Sequence, residues 1–170
     1  MMDTLQTIMT RRSVRHFTSQ PVTDAELESL LRAAMQAPSS GNGQPWYFIV
    51  LTDHNIMDEV TKFHPTAAAI KEAPLAILIC GDETLEGKPG RWMMDCAAAS
   101  QNMLLAAHAL GLGSVWLGIH PDPARIEGVS KLMGLPPQVH PLSIVAIGRA
   151  AATPEPVDRY KPERVKLNHW

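Results

Sequence analysis

Residues 11–15 read RRSVR, three arginines and a serine directly after a short amphipathic stretch. Arginine presents a planar fork of donors and stays charged at physiological pH, which suits a phosphate with acceptors on every side. In extended backbone Arg11, Ser13 and Arg15 share one side. In a helix Arg11 and Arg15 are still neighbours at i, i+4. Like charges held side by side repel, so an anion between them would explain the arrangement. The same stretch also fits a solvated basic turn, favoured by the negative end of the preceding helix. The common phosphate loops are absent: no GxGxxG follows a strand, there is no Walker loop, and GLGSVWLG precedes a strand and so reads as a turn.

The arginine cluster is local. The 170 residues carry 15 basic and 17 acidic side chains, a net charge of -2, and lack the broad basic face of a nucleic-acid binder. A small anionic partner is the better fit. The length suits one domain, 1–170, and 45% hydrophobic residues suffice for its core. Cys80 and Cys96 form no CxxC or zinc spacing and read as buried reduced thiols; the seven histidines show no metal-ligand spacing, so no metal site is expected. No apolar run approaches a membrane span and MMDTLQ is no signal peptide, so a cytoplasmic protein without membrane or nucleic-acid partners is expected.

The elements that must position the arginines can be read from periodicity. DTLQTIMT places Leu5, Ile8 and Met9 at helical spacing and predicts a helix ending near the cluster. Thr23 and Glu26 form a capping box before the stripe Leu27, Leu30, Leu31, Ala34 and Met35, and Pro38 closes that helix. SSGNGQP is a loop by composition, and WYFIVLT a strand. NIMDEVTKFH and TAAAIKEA look like short helices, and LAILICG like a strand buried on both faces. Residues 91–110 form the longest helix, apolar nearly all round and rich in alanine, so it should pack on its own sheet and on a second copy of itself. SVWLGI and LSIVAIG are strands. Between them lies a helix with Asp122 as N-cap and Pro123 at its first position. Residues 149–170 are polar and aperiodic but end in Trp170, which favours a docked arm over a free tail. The whole is an α+β chain with no internal repeat.

Four stretches, in order and spanning nearly the whole chain, resemble the FMN-dependent nitroreductase family in its short, single-domain form. They are RRSVRHF, APSSGNGQPW at 37–46, DCAAASQNMLLAAHALGLGSVWLG at 95–118, and DRYKPERVKLNHW at the C-terminus. The resemblance implies a central, mostly antiparallel sheet flanked by helices, in an intertwined homodimer with FMN at the subunit interface and 149–170 as an arm onto the partner. It also implies site residues. Arg11 and Ser13 match positions that hold the FMN phosphate and ribityl chain, Arg12 one that also lines the cofactor, and Arg15 one near the flavin N1–O2 edge. Pro38, Ser39, Ser40 and Asn42 match contacts made from the other subunit, with Gln44 on the same loop. The backbone of Trp116, Leu117 and Gly118 matches the segment facing the flavin ring, and Arg159 a basic residue that reaches the phosphate. Fixed positive charge at N1–O2 is sensible where reduced flavin gathers negative charge.

The function so implied is that of an NAD(P)H oxidoreductase reducing nitroaromatics, quinones or similar acceptors by ping-pong hydride transfer through flavin N5. NADH or NADPH is the donor, and no side chain is needed as nucleophile or general acid. The regions 53–72 and 82–92 are short, which implies an open site with broad acceptor tolerance. Dehalogenation or flavin fragmentation within the same family, a non-catalytic flavin-binding module and a flavin-free phosphate binder are the alternatives. Trp46 reads as core, Asp95, Gln101 and Asn102 as structural hydrogen-bonding groups, and Lys71, Trp92, Met93 and Met94 leave both readings open.

Overall fold

A computed structural model describes residues 3–152 and 154–170. Four strands form one antiparallel sheet in the order β1-β2-β4-β3, with β1 Trp46–Leu51, β2 Leu75–Asp82, β3 Gly113–Gly118 and β4 Val139–Gly148. Five α-helices cover it: α1 Thr4–Thr10, α2 Asp24–Met35, α3 His54–Phe63, α4 Trp92–Ala109 and α5 Pro123–Met133.

The two-residue period of the central strands divides the core into two layers. On β2, Ala76, Leu78 and Cys80 face one cluster with Met57 and Val60 of α3 and Val129 of α5, while Leu75, Ile77 and Ile79 face a second with Leu30 of α2 and Met103 of α4. Strand β4 splits likewise, Ile144 and Ala146 against Val145 and Ile147. Both faces of the sheet are therefore covered, which is why LAILICG lacks polar alternation. Cys80 and Cys96 are buried free thiols, and burial pushes both up to about 12.

The capping signals read from sequence form as expected. The Thr23 hydroxyl accepts from the Glu26 amide at 3.3 Å, and the Glu26 carboxylate accepts from the Thr23 amide at 2.9 Å. Asp122 accepts from the Ala124 and Arg125 amides, with Pro123 in the first turn of α5. One expectation needs correction. TAAAIKEA forms only a short 3-10 turn, Ala68–Lys71, because Pro65 and Pro74 confine it and its buried residues fill the core beside α3. The apolar stripe of α1 does not face this chain's core: Leu5, Ile8 and Met9 are exposed and Thr7 is the buried residue.

Helix α4 buries Trp92, Cys96, Ala99, Met103 and Ala107 against the sheet. Its outer side carries Met94, Ala98, Gln101 and Leu105, at i, i+4, i+7 and i+11. Its amino end is not capped by Arg91, which precedes it. Glu86 performs that task from the connecting loop, its carboxylate accepting from the amides of Gly90, Arg91 and Trp92 at 2.8, 2.8 and 2.9 Å. The tail beyond Pro154 is exposed throughout and contains one short turn, Pro162–Arg164.

Candidate functional site

The RRSVR segment is extended and lies along the free edge of β3. Ser13 bridges Ser114 in parallel, and the Val14 amide donates to the Ser114 carbonyl at 2.9 Å. The approach is close because residue 113 is glycine: a Cβ there would lie 2.8 Å from Val14 Cγ1. This seam fixes the direction of the segment, so that Arg15 advances along the strand as Trp116 does.

Arg11, Arg12 and Arg159 converge on a cavity of about 450 Å³, also lined by Gln101, Asp158 and Tyr160. Arg159 arrives because the tail folds back, with Arg12 Nη1 donating to the Glu155 carbonyl. Burial, then the charges of Arg159 and Arg12, lower the Arg11 pKa. The charge of Arg11, added to burial, also holds His108 below the ordinary imidazole range; His108 Nε2 lies 2.8 Å from the Thr10 hydroxyl. Among the described residues no carboxylate lies within ion-pair distance of Arg11, Arg12, Arg15 or Arg159. Concentrated, mutually repelling cations facing a cavity have the chemistry to hold an anion, and they form no structural salt-bridge network among the described residues. Arg15 stands apart, exposed.

Residues 38–44 form a loop apart from this cavity. Pro38, Ser39 and Ser40 line a separate cavity of about 390 Å³ with Lys88, Arg91, Met94, Asp95 and Ala98. The loop is rigid for local reasons. The Ser40 amide donates to Asp95 Oδ1 at 3.0 Å, the Gln44 amide to the Ser39 hydroxyl at 3.0 Å, and the Gln44 side chain to Asn42 Oδ1 at 2.9 Å. Its backbone lies directly on residues 85–87, so that a Cβ on Gly87 would sit 2.0 Å from the Ser40 carbonyl oxygen. Asn42 and Gln44 hold positive φ of 56° and 50°, unusual for residues other than glycine.

Within one chain the two cavities share no lining residue. They open on the same outer side of α4, one at Met94 and Ala98, the other at Gln101. Met94 and Gln101 are about 10 Å apart along the helix axis. Trp116 and Gly118 lie on the β3 edge, where the Trp116 side chain is half-buried and the Leu117 side chain is buried in the core. A Cβ on Gly118 would meet only Trp116 Nε1, at 3.8 Å, leaving that backbone open to a flat ligand. Trp46 is core, and Lys71 pairs with Asp58 at 3.7 Å. Sequence reading missed Glu86, Lys88, Arg91 and Arg125, which sit in no recognisable motif. A weak signal for Glu86 was available, since α4 begins without a Ser, Thr, Asp or Asn cap.

Residues 8–64 and 63–149 match the sequence model of the nitroreductase family. The chain belongs to that family. A protein from Methanothermobacter thermautotrophicus, provisionally named NADH dehydrogenase/NAD(P)H nitroreductase, is 42% identical over 99% of this chain and 88% of its own length. The crystal structure of a protein of the same provisional name, from Parabacteroides distasonis, superimposes with a TM-score of 0.94 at 40% identity, covering 98% of both chains. A provisionally named nitroreductase from Desulfovibrio desulfuricans, solved in complex with FMN, gives 0.86 at 30% identity over 100% of this chain and 99% of its own. The expected fold is thus the one the family has.

Proposed function

We propose that two copies of this chain build two identical FMN sites, each formed by the arginine cavity of one copy and the 38–44 loop of the other. The chain is an NAD(P)H-dependent flavin oxidoreductase with FMN as its cofactor. When bound, FMN supplies hydride acceptance from a reduced nicotinamide and delivery to an oxidised acceptor.

The protein's part is to bind, orient and polarise. Arg11, Arg12 and Arg159 hold the phosphate, with the Ser13 hydroxyl beside them. Arg15 provides a fixed positive charge along the β3 edge. The main chain of Trp116, Leu117 and Gly118 forms a wall against the ring. Pro38, Ser39, Ser40, Asn42 and Gln44 close the site from the second copy, and residues 149–170 act as an arm onto it. The pairing follows from chemistry left incomplete in one chain: two half-cavities on one side of α4, and an apolar face on α1 that this chain does not cover. Small nitroaromatics and quinones are the proposed acceptors, and the buried thiols suit a reducing, cytoplasmic compartment.

The observation that carries the reading is the convergence of Arg11, Arg12 and Arg159 on one cavity, none of them ion-paired among the described residues. The test is the purified protein's colour and redox behaviour. Bound-flavin absorbance, bleaching by NADH or NADPH without oxygen, and recovery on adding a quinone or a nitroaromatic are expected. A colourless protein that takes up no riboflavin 5′-phosphate would overturn it.

A further inference from the structure

The free edge of β3 presents the peptide groups of Gly118, and one side chain holds them in place. The Val14 amide bonds the Ser114 carbonyl, so the peptide groups of Ser114 face away from β4. Strand alternation turns those of Trp116 and Gly118 to the same outer edge. The next residue confirms the parity: the Ile119 amide points inward, to the Leu142 carbonyl of β4, at 3.0 Å. The outward Gly118 carbonyl accepts from Arg125 Nη1 at 2.9 Å.

Arg125 is itself fixed. Its Nε lies 3.3 Å from Asp122 Oδ2, and Asp122 Oδ1 caps α5 by accepting from the Ala124 and Arg125 amides at 3.0 and 3.2 Å. Helix α5 is locked to α3, since a Cβ on Gly128 would lie 2.5 Å from the Phe63 ring. Buried His64, which ends α3, adds a constraint. Burial first and the Arg125 charge second lower its pKa, while the Gly118 carbonyl acts in the opposite sense, which places the ring beside the Arg125–Gly118 contact.

We propose that Arg125 is a positioning residue of the flavin site: it clamps the Gly118 carbonyl so that the Gly118 amide is aimed out of the sheet edge at the bound ring, and it adds a half-buried positive charge beside that amide on the same edge. This rests on the reading that FMN lies against Trp116–Gly118. A cation and an oriented amide behind an electron-accepting ring favour its reduced form. Displacement of a positioned group by about 1 Å can slow a reaction by about 100-fold.

The test compares holoprotein carrying Arg125→Met, Arg125→Lys or Gly134→Ala, by flavin midpoint potential, FMN affinity and stopped-flow reduction by NAD(P)H. Gly134 ends α5 with φ 64° and is remote from Gly118 in sequence, so its alanine variant loosens the same helix by another route. Arg125→Met is expected to stay yellow, with a lowered potential and reduction slower by about tenfold or more. Arg125→Lys, which keeps charge and a donor, should recover most of both, and Gly134→Ala should lower melting temperature alone. A potential and rate in Arg125→Met equal to wild type would overturn the clamp, as would Gly134→Ala shifting both as far. If Arg125→Met does not fold, wild-type potential and rate in both Arg125→Lys and Arg125→Gln would overturn it. Failure of the wild-type protein to bind FMN would instead remove the underlying site.

Discussion

At the residue scale, the arginine cluster is held against its own electrostatics. Three guanidinium groups share a cavity, and their repulsion and partial burial weaken the charged state of Arg11. An anion removes that penalty, so loss of one arginine has opposite effects on the empty and loaded protein. Arg11→Ala should weaken FMN binding by about 1.5–3 kcal/mol, as for a charge-assisted contact, a Kd rise on the order of 10- to 100-fold. The FMN-free protein should melt no lower than wild type. Equilibrium dialysis and calorimetry read the two effects; equal affinity for FMN would take Arg11 out of the site. RRSVR was conspicuous in the sequence because its charge departs from a nearly neutral chain. Arg125 was not, since a single arginine in a helix is ordinary until its partner carbonyl is known.

At the element scale, α4 depends on a cap borrowed from the preceding loop. The amides of Trp92 and Gly90, with that of Arg91, hold the Glu86 carboxyl below the ordinary range. A carboxylate with a depressed folded-state pKa stabilises fully above its unfolded pKa and loses that contribution as pH falls through the folded value. Glu86→Gln should therefore melt lower than wild type at neutral pH and converge with it in acid. Melting temperatures across pH 3–7, a window set by roughly the carboxylate range, check this, and a constant gap would sink the assignment. The Thr23 capping box and the Asp122 cap were readable because they depend on neighbours in sequence, whereas β4 starts at Val139, three residues before the stretch LSIVAIG. The Glu86 cap bridges a turn with no periodicity to announce it.

At the scale of the whole molecule, one chain leaves two separate cavities and several exposed apolar side chains, among them Leu5, Met9, Met94, Tyr160, Leu167 and Trp170. In the proposed dimer a second copy would cover these side chains and join the two cavities. Removal of residues 155–170 should loosen the dimer and lower flavin occupancy, seen by sedimentation and by the ratio of visible to ultraviolet absorbance; a truncated form that stays dimeric and fully yellow contradicts the arm. Complementation is more direct. Gly87→Ala forces a Cβ into the Ser40 carbonyl and must displace the 38–44 loop. Mixed dimers of Arg11→Ala and Gly87→Ala chains pair one intact arginine cavity with one intact loop, so FMN binding should recover at one site in two. If mixing restores nothing, the two halves do not meet across an interface.

The sequence by itself determined most of the elements, the caps of α2 and α5 and the two-sided burial of β2, and it marked RRSVR as a candidate anion site. Each of these is a local or periodic property, set by neighbours within a few positions. The family resemblance named Arg159 beside Arg11 and Arg12; only the tertiary structure decided that Pro38, Ser39 and Ser40 open on a separate cavity and that Gly118 is gripped by Arg125. These contacts depend on the order in which strands pair and on which edge of β3 remains free. Side-chain chemistry restricts such choices without selecting among them, because many pairings bury the same apolar residues and only the packed chain fixes one.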